Sequence, residues 1–134
     1  MDEIRELAHR LGDVPQFRSI PGEEVVSIIR MGDLRNYSQN EIFFHEDDEC
    51  AGMFVLIKGK VILTKPGPEG QEGVINALEP VIMLNEVAAL DGGSNPVSAV
   101  AQADCRLWHI SKENMQALIL PYPQIGLSLL GVLA

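Results

Sequence analysis

Apolar residues recur at two different spacings along this chain, and the change of spacing separates a helical opening from a strand-rich body. Ile4, Leu7, Ala8 and Leu11 fall at i, i+3, i+4 and i+7, which puts them on one face of an amphipathic helix over 2–11. Gly12 and Asp13 stop it. Pro21 stands where a first helical residue would, with Glu23 and Glu24 in the first turn and Val25, Val26, Ile28 and Ile29 as the apolar set. This second helix is expected to end near Met31-Gly32.

Beyond it the pattern shortens to runs bounded by turn residues. Leu34–Tyr37, Glu41–Phe44, Met53–Lys58, Lys60–Lys65, Gly73–Leu78, Val97–Ala101 and Arg106–Ile110 read as strands. Lys58-Gly59-Lys60 reads as a tight hairpin, and Pro66-Gly67-Pro68-Glu69-Gly70 as a longer hairpin loop. Strands this short and numerous argue for a sandwich or barrel. Ser111 caps a helix expected to run through Met115 and Leu118 to about Leu120. Pro121 breaks it, and Pro123 opens a last helical stretch, Gln124 to Ala134, coated nearly all round by Ile125, Leu127, Leu129, Leu130, Val132 and Leu133.

With 134 residues, 46% of them hydrophobic, the chain is expected to be one folded domain over 1–134. Ten basic residues against nineteen acidic ones leave a net charge of −9, which repels phosphate backbones and anionic membranes. Leu118–Leu120 and Leu127–Ala134 are too short and too broken to span a bilayer, and the acidic amphipathic N-terminus lacks the character of a secretory signal. A cytoplasmic protein with two reduced thiols, Cys50 and Cys105, is the expectation. No His-x-His pair, Cys-x-x-Cys, phosphate-binding glycine loop or nucleophile motif occurs, so the chain is not expected to be an enzyme. Glu46-Asp47-Asp48-Glu49 lacks the glycine and alternating oxygen ligands of a calcium loop and reads as a solvated acidic turn.

Residues 85–101 carry the most chemistry. Asn85 to Asp91 read as a short helix opening after a strand, Gly92 to Pro96 as a loop, and Val97 as the start of the next strand. Backbone N–H groups and the positive end of a helix converge in such a place and can cradle an anion. The layout resembles the phosphate-binding cassette of cyclic-nucleotide-binding domains in the CRP/FNR family of bacterial regulators, usually worded Gly-Glu-(Leu/Met)-Ala, a loop, then Arg-(Ser/Thr)-Ala. Glu86, Ala88, Ser98 and Ala99 fit; Asn85 replaces the glycine and Val97 the arginine. The likeness continues outside the cassette. Val14 to Pro21 resembles the family's opening, and Asn40, Glu46-Asp47-Asp48 and Phe54 to Val61 resemble its core signature, with Asn40 and Asp47 where glycine is usual. Ala103 to Ser111 resembles the strand before its dimerisation region.

This resemblance implies a mainly β fold: a double-stranded β-helix (jelly-roll), core about 12–122, with short flanking helices and, at 123–134, the start of a truncated C-terminal dimerisation helix. It implies a small-molecule effector held by Leu84, Asn85, Glu86, Val87, Ala88, Pro96, Val97, Ser98 and Ala99, with Asn95 as a further hydrogen-bonding candidate. A homodimer forms through the C-terminal helix in the family, and DNA is reached only through a helix-turn-helix domain absent from this chain.

Departures from the family wording redirect the effector. Around Leu78 to Glu86 three usual glycines and an aspartate are gone, as Glu79, Val81, Asn85 and Ile82. The arginine that clamps the cyclic phosphate in nucleotide-binding members is Val97. The expected effector is therefore not classical cyclic AMP. Two alternatives remain: a cyclic-nucleotide site with a degenerate cassette, in which Glu86 and backbone N–H groups compensate, and a haem-based CO or NO sensor. Iron would then be ligated by His9, His45, His109, a Met, a Cys or the chain terminus, although lone histidines more often serve structure. A closed pocket, filled where Leu84, Val87 and Val97 meet, would instead mark a purely structural module.

Overall fold

The computed structural model describes residues 3–18, 20–70, 72–124 and 126–127. Two helices precede the sheets, α1 (Glu3–Leu11) and α2 (Gly22–Ile29), with a 3-10 turn at Pro15–Phe17 between them. Leu7 and Leu11 are buried, and Ile4 and Ala8 pack half-buried beside them, so the expected stripe is the face that docks. Pro21 caps α2 from outside rather than opening it, and α2 stops at Ile29. At its end the Ile29 carbonyl accepts from the Gly32 N–H at 3.1 Å and from the Trp108 indole N–H at 3.0 Å, partners for a carbonyl at the helix terminus.

Eight strands follow among the described residues: β1 (Asp33–Tyr37), β2 (Ile42–Phe44), β3 (Met53–Lys58), β4 (Val61–Pro66), β5 (Glu72–Leu78), β6 (Ile82–Leu84), β7 (Ser98–Ala101) and β8 (Cys105–Ile110). They form two antiparallel four-stranded sheets, ordered β1-β8-β3-β6 and β2-β7-β4-β5. β1 pairs with β8, β2 with β7, β3 with β6 and β4 with β5. The chain is thus one long ribbon doubled back at the Pro66–Gly70 loop and rolled up, which makes the double-stranded β-helix. Two short helices complete it: α3 (Glu86–Asp91), between β6 and β7, and α4 (Lys112–Ile119), where the Ser111 side chain accepts from the Asn114 N–H as a cap.

Two expectations need correction. Lys58-Gly59-Lys60 is not a hairpin, because β3 and β4 lie in different sheets; it is the corner at which the ribbon changes layer. Gly59 sits there at φ +105°, and a Cβ on it would lie 2.6 Å from both the Asp104 carbonyl oxygen and Cys105 Sγ. Ile82–Leu84 forms a strand that was not among the expected ones, since three residues are too few to show a period. The helix expected over 124–134 lies largely outside the described residues.

The core has two compartments, and β3 serves both. Met53, Val55 and Ile57 pack under the helices with Phe17, Ile28, Trp108 and Met115, while Phe54 and Leu56 face the inside of the roll with Phe43, Phe44, Leu84 and Leu107. A strand buried on both faces reads as an unbroken apolar run rather than an alternation. The Arg106 guanidinium pairs with Glu3, fastening the start of α1 to the sheet. No helix among the described residues is long and apolar enough to cross a membrane.

Candidate functional site

The mouth of the roll beside α3 holds a cavity of about 310 Å3. Asn85 turns the chain from β6 into α3 at φ 65°, and Gly92 ends the helix at φ 77° with its N–H on the Ala88 carbonyl. Among the described residues the non-glycine residues with positive φ are Asn40, Asp47 and Asn85, the very places where the resemblance puts glycine. Asn and Asp tolerate the left-handed region best among residues with a side chain, so the backbone path is kept although the glycines are lost.

Leu84, Asn85, Glu86, Val87, Ala88, Pro96 and Val97 all line this cavity. Ser98 and Ala99 do not. Ala99 is fully buried in the roll interior, opposite Leu63 in β4, and the Ser98 hydroxyl accepts from the Glu46 N–H at 2.8 Å. Asn95 is spent too. Only 1% exposed, it donates to the His45 and Glu49 carbonyls and accepts from the Ala51 N–H and Asn85 Nδ2. It clips the 45–51 turn to the cassette and has nothing left for a ligand. Phe44, Leu63, Asn76, Leu78, Ile82 and Met83 complete the lining and were not expected. They come from β2, β4, β5 and β6, and only the nested pairing brings them to one place.

Among the described lining residues Glu86 is the only ionisable one. Burial pushes its carboxyl above the ordinary carboxylate range, partly offset by its own backbone N–H, and no ion pair to it occurs among the described residues. Asn85 Nδ2 donates to the Gly52 carbonyl at 2.9 Å and to Asn95 Oδ1 at 2.9 Å, while Asn85 Oδ1 is buried without a partner. Leu84, Val87 and Val97 line open space rather than a filled apolar patch, unlike the expectation for a purely structural module.

Among the described residues the candidate donors do not fit a haem at this cavity. His109 is buried in β8 with Nε2 2.7 Å from the Ala51 carbonyl and Nδ1 3.3 Å from Asp33 Oδ1; it holds structure. Burial raises the Asp33 carboxyl, but Arg35 and His109 together outweigh it and keep the acid below its usual value. His9 and His45 are exposed and lie away from the cavity, whose only sulfur donor among described residues is Met83. Nor do the described residues form any group of three or more His, Cys, Asp or Glu able to hold a metal. Cys105 donates to the Lys60 and Ala103 carbonyls, and burial pushes its thiol up, which makes it an inert packing residue. Asp47, Asp48 and Glu49 are exposed in the acidic turn, with Glu49 3.6 Å from Lys112 Nζ.

Known proteins share this architecture. Residues 34–122, from β1 past α4, match the family model described as the cyclic nucleotide-binding domain. The "Cyclic AMP receptor protein" of Thermus thermophilus is 31% identical over 120 residues, covering 90% of this chain and 56% of that protein. The crystal structure of the Thermus thermophilus catabolite activator protein superposes with a TM-score of 0.81 at 30% identity, over 89% of this chain and 56% of that one. The sensor domain of the transcriptional regulator DNR from Pseudomonas aeruginosa reaches a TM-score of 0.87 at 20% identity, over 99% of this chain and 89% of that one, a likeness of fold. The chain spans about half the length of the curated relatives it matches, and these are regulators rather than enzymes. With the rolled ribbon, the short helix after β6 and the family model covering both, the chain belongs to the cyclic nucleotide-binding domain family.

Proposed function

We propose that this chain is the effector-sensing domain of a CRP/FNR-type transcription regulator, and that its effector is not a classical cyclic nucleotide. The lining of the cassette cavity carries this reading: Val97 stands where a phosphate-pairing arginine is usual, and no described lining residue is basic. Removing one partner of a buried charge pair costs about 2–5 kcal/mol, roughly thirtyfold to several thousandfold in affinity. The remaining charge, on Glu86, has the wrong sign for a phosphate.

Effector binding would act by moving α3, which forms one wall of the cavity through Glu86, Val87 and Ala88. Gln116 in α4 donates to the Ala89 and Leu90 carbonyls at 3.4 and 3.3 Å, so a shift of α3 reaches α4 directly. The coupling works only if the effector binds two positions of α3 unequally. Homodimerisation through the segment beyond residue 122 and DNA contact through another part of the regulator belong to the same reading. A net charge of −9 suits a domain that leaves DNA to others.

A second reading, a cyclic-nucleotide site with a degenerate cassette, is favoured by the name of the Thermus relative, a cyclic AMP receptor. Calorimetric titration of the protein with cyclic AMP separates the two. The proposal expects no saturable binding below about 1 mM, following from the lost charge pair. A dissociation constant in the micromolar range would replace it with the second reading.

A further inference from the structure

We infer that the cassette cavity takes a small organic amine, its apolar body among Leu63, Leu78, Ile82 and Val97 and its protonated nitrogen on the Glu86 carboxylate. This rests on the reading of the cavity as the effector site. Glu86 is the only ionisable side chain in the described lining, and nothing basic pairs with it. An anionic ligand would set two like charges together in a half-dry cleft. A neutral apolar one would strip water from the carboxylate and return nothing. A cation alone compensates the desolvation it causes.

The other polar groups at this wall agree in sense. The Asn85 amide nitrogen is committed to the Gly52 carbonyl and Asn95 Oδ1, so Asn85 offers the cavity no free side-chain donor for an anion. Asn76 is neutral, and its side-chain oxygen already accepts from the Ala77 N–H. A primary ammonium brings three donors to the Glu86 carboxylate, and like the lysine ammonium, with a pKa of about 10.4, it is charged at neutral pH. Burial raises the Glu86 carboxyl above its ordinary value, which is the cost an ammonium would remove. The groove between α1 and α2 mixes Arg5, His9 and Arg18 with Glu23 and so has no single sign of charge.

Three probes of one shape and three charges test this by calorimetry at pH 7: 2-phenylethylamine, 2-phenylethanol and phenylacetate. The amine is expected to bind one-to-one, the alcohol about tenfold or more weakly, and phenylacetate not measurably, as a charge-assisted hydrogen bond predicts. Glu86→Gln should bring the amine to the affinity of the alcohol while leaving the alcohol within about threefold. Phenylacetate binding as well as the amine, an amine preference that survives in Glu86→Gln, or no saturation by any probe up to about 10 mM overturns the inference. The reading of the effector as something other than a cyclic nucleotide is tested by the cyclic AMP titration, so the two can fail separately.

Discussion

Val97 and Glu86 between them decide the sign of the field inside the cavity. One removes the positive charge expected at a phosphate site, and the other leaves a carboxylate that burial makes costly to ionise. The stability consequence has a definite direction. Because the folded carboxyl titrates above its ordinary 4.5, its favourable contribution is complete below that value and disappears as pH rises through the folded pKa. Glu86→Gln should therefore be at least as stable as the parent at pH 7, and lose that advantage near pH 4, in urea denaturation at both pH values. A variant clearly less stable than the parent at pH 7 alone would show that the carboxylate makes a favourable contact. The loss of the arginine at Val97 and the retention of Glu86 were legible in the sequence, as was Asn at each of two left-handed positions; that Asp47 and not another acid of the run adopts positive φ was marked by its place in the family wording. Asn95 was misread, because a buried Asn in a loop and a ligand-binding Asn have the same local spelling.

At the scale of elements, α3 is held less by its own six residues than by what grips its two ends. Asn85 and Asn95 join its start to the 45–51 turn, and Gln116 in α4 meets its last carbonyls. Replacing Asn95 with Ala orphans the Ala51 N–H and takes a donor from the His45 carbonyl, which keeps only the Asp48 N–H at 3.3 Å. It should cost about 2–3 kcal/mol by chemical denaturation and speed amide hydrogen exchange in both 45–51 and 86–91. Loss of protection confined to the Asn95 loop would contradict a shared clip. Elements with a one-sided burial were readable from their period: the α1 stripe, β7 and the Ser111-capped α4 are where expected. β6 was not, and the 58–60 corner was mistaken for a hairpin. Turn chemistry reports a reversal of direction, but β3 pairs with β6 and β8, dozens of residues on, and β4 with β5 and β7, never with each other.

Over the whole molecule, the nested pairing of β1 with β8 through β4 with β5 explains how a cassette of some dozen residues becomes a cavity. Phe44, Leu63, Leu78 and Ile82 are ordinary core or strand residues by sequence and acquire a role only when the ribbon is rolled. Trp108 ties the roll to the helical layer through its bond to Ile29, with its ring fully buried. Trp108→Phe keeps an aromatic ring but leaves a void and takes the indole donor from the Ile29 carbonyl, which retains the Gly32 N–H, and should lower stability by about 1–3 kcal/mol. A change under about 0.5 kcal/mol, the size of a surface substitution, would mean that the layers are joined elsewhere. The central claim concerns the sign of the cavity, and one pair of titrations tests it: cyclic AMP against the parent and against Val97→Arg. The account predicts no saturable binding below about 1 mM for the parent and affinity at least about thirtyfold better once the arginine is present. Micromolar binding by the parent, changed less than about threefold by Val97→Arg, would contradict it.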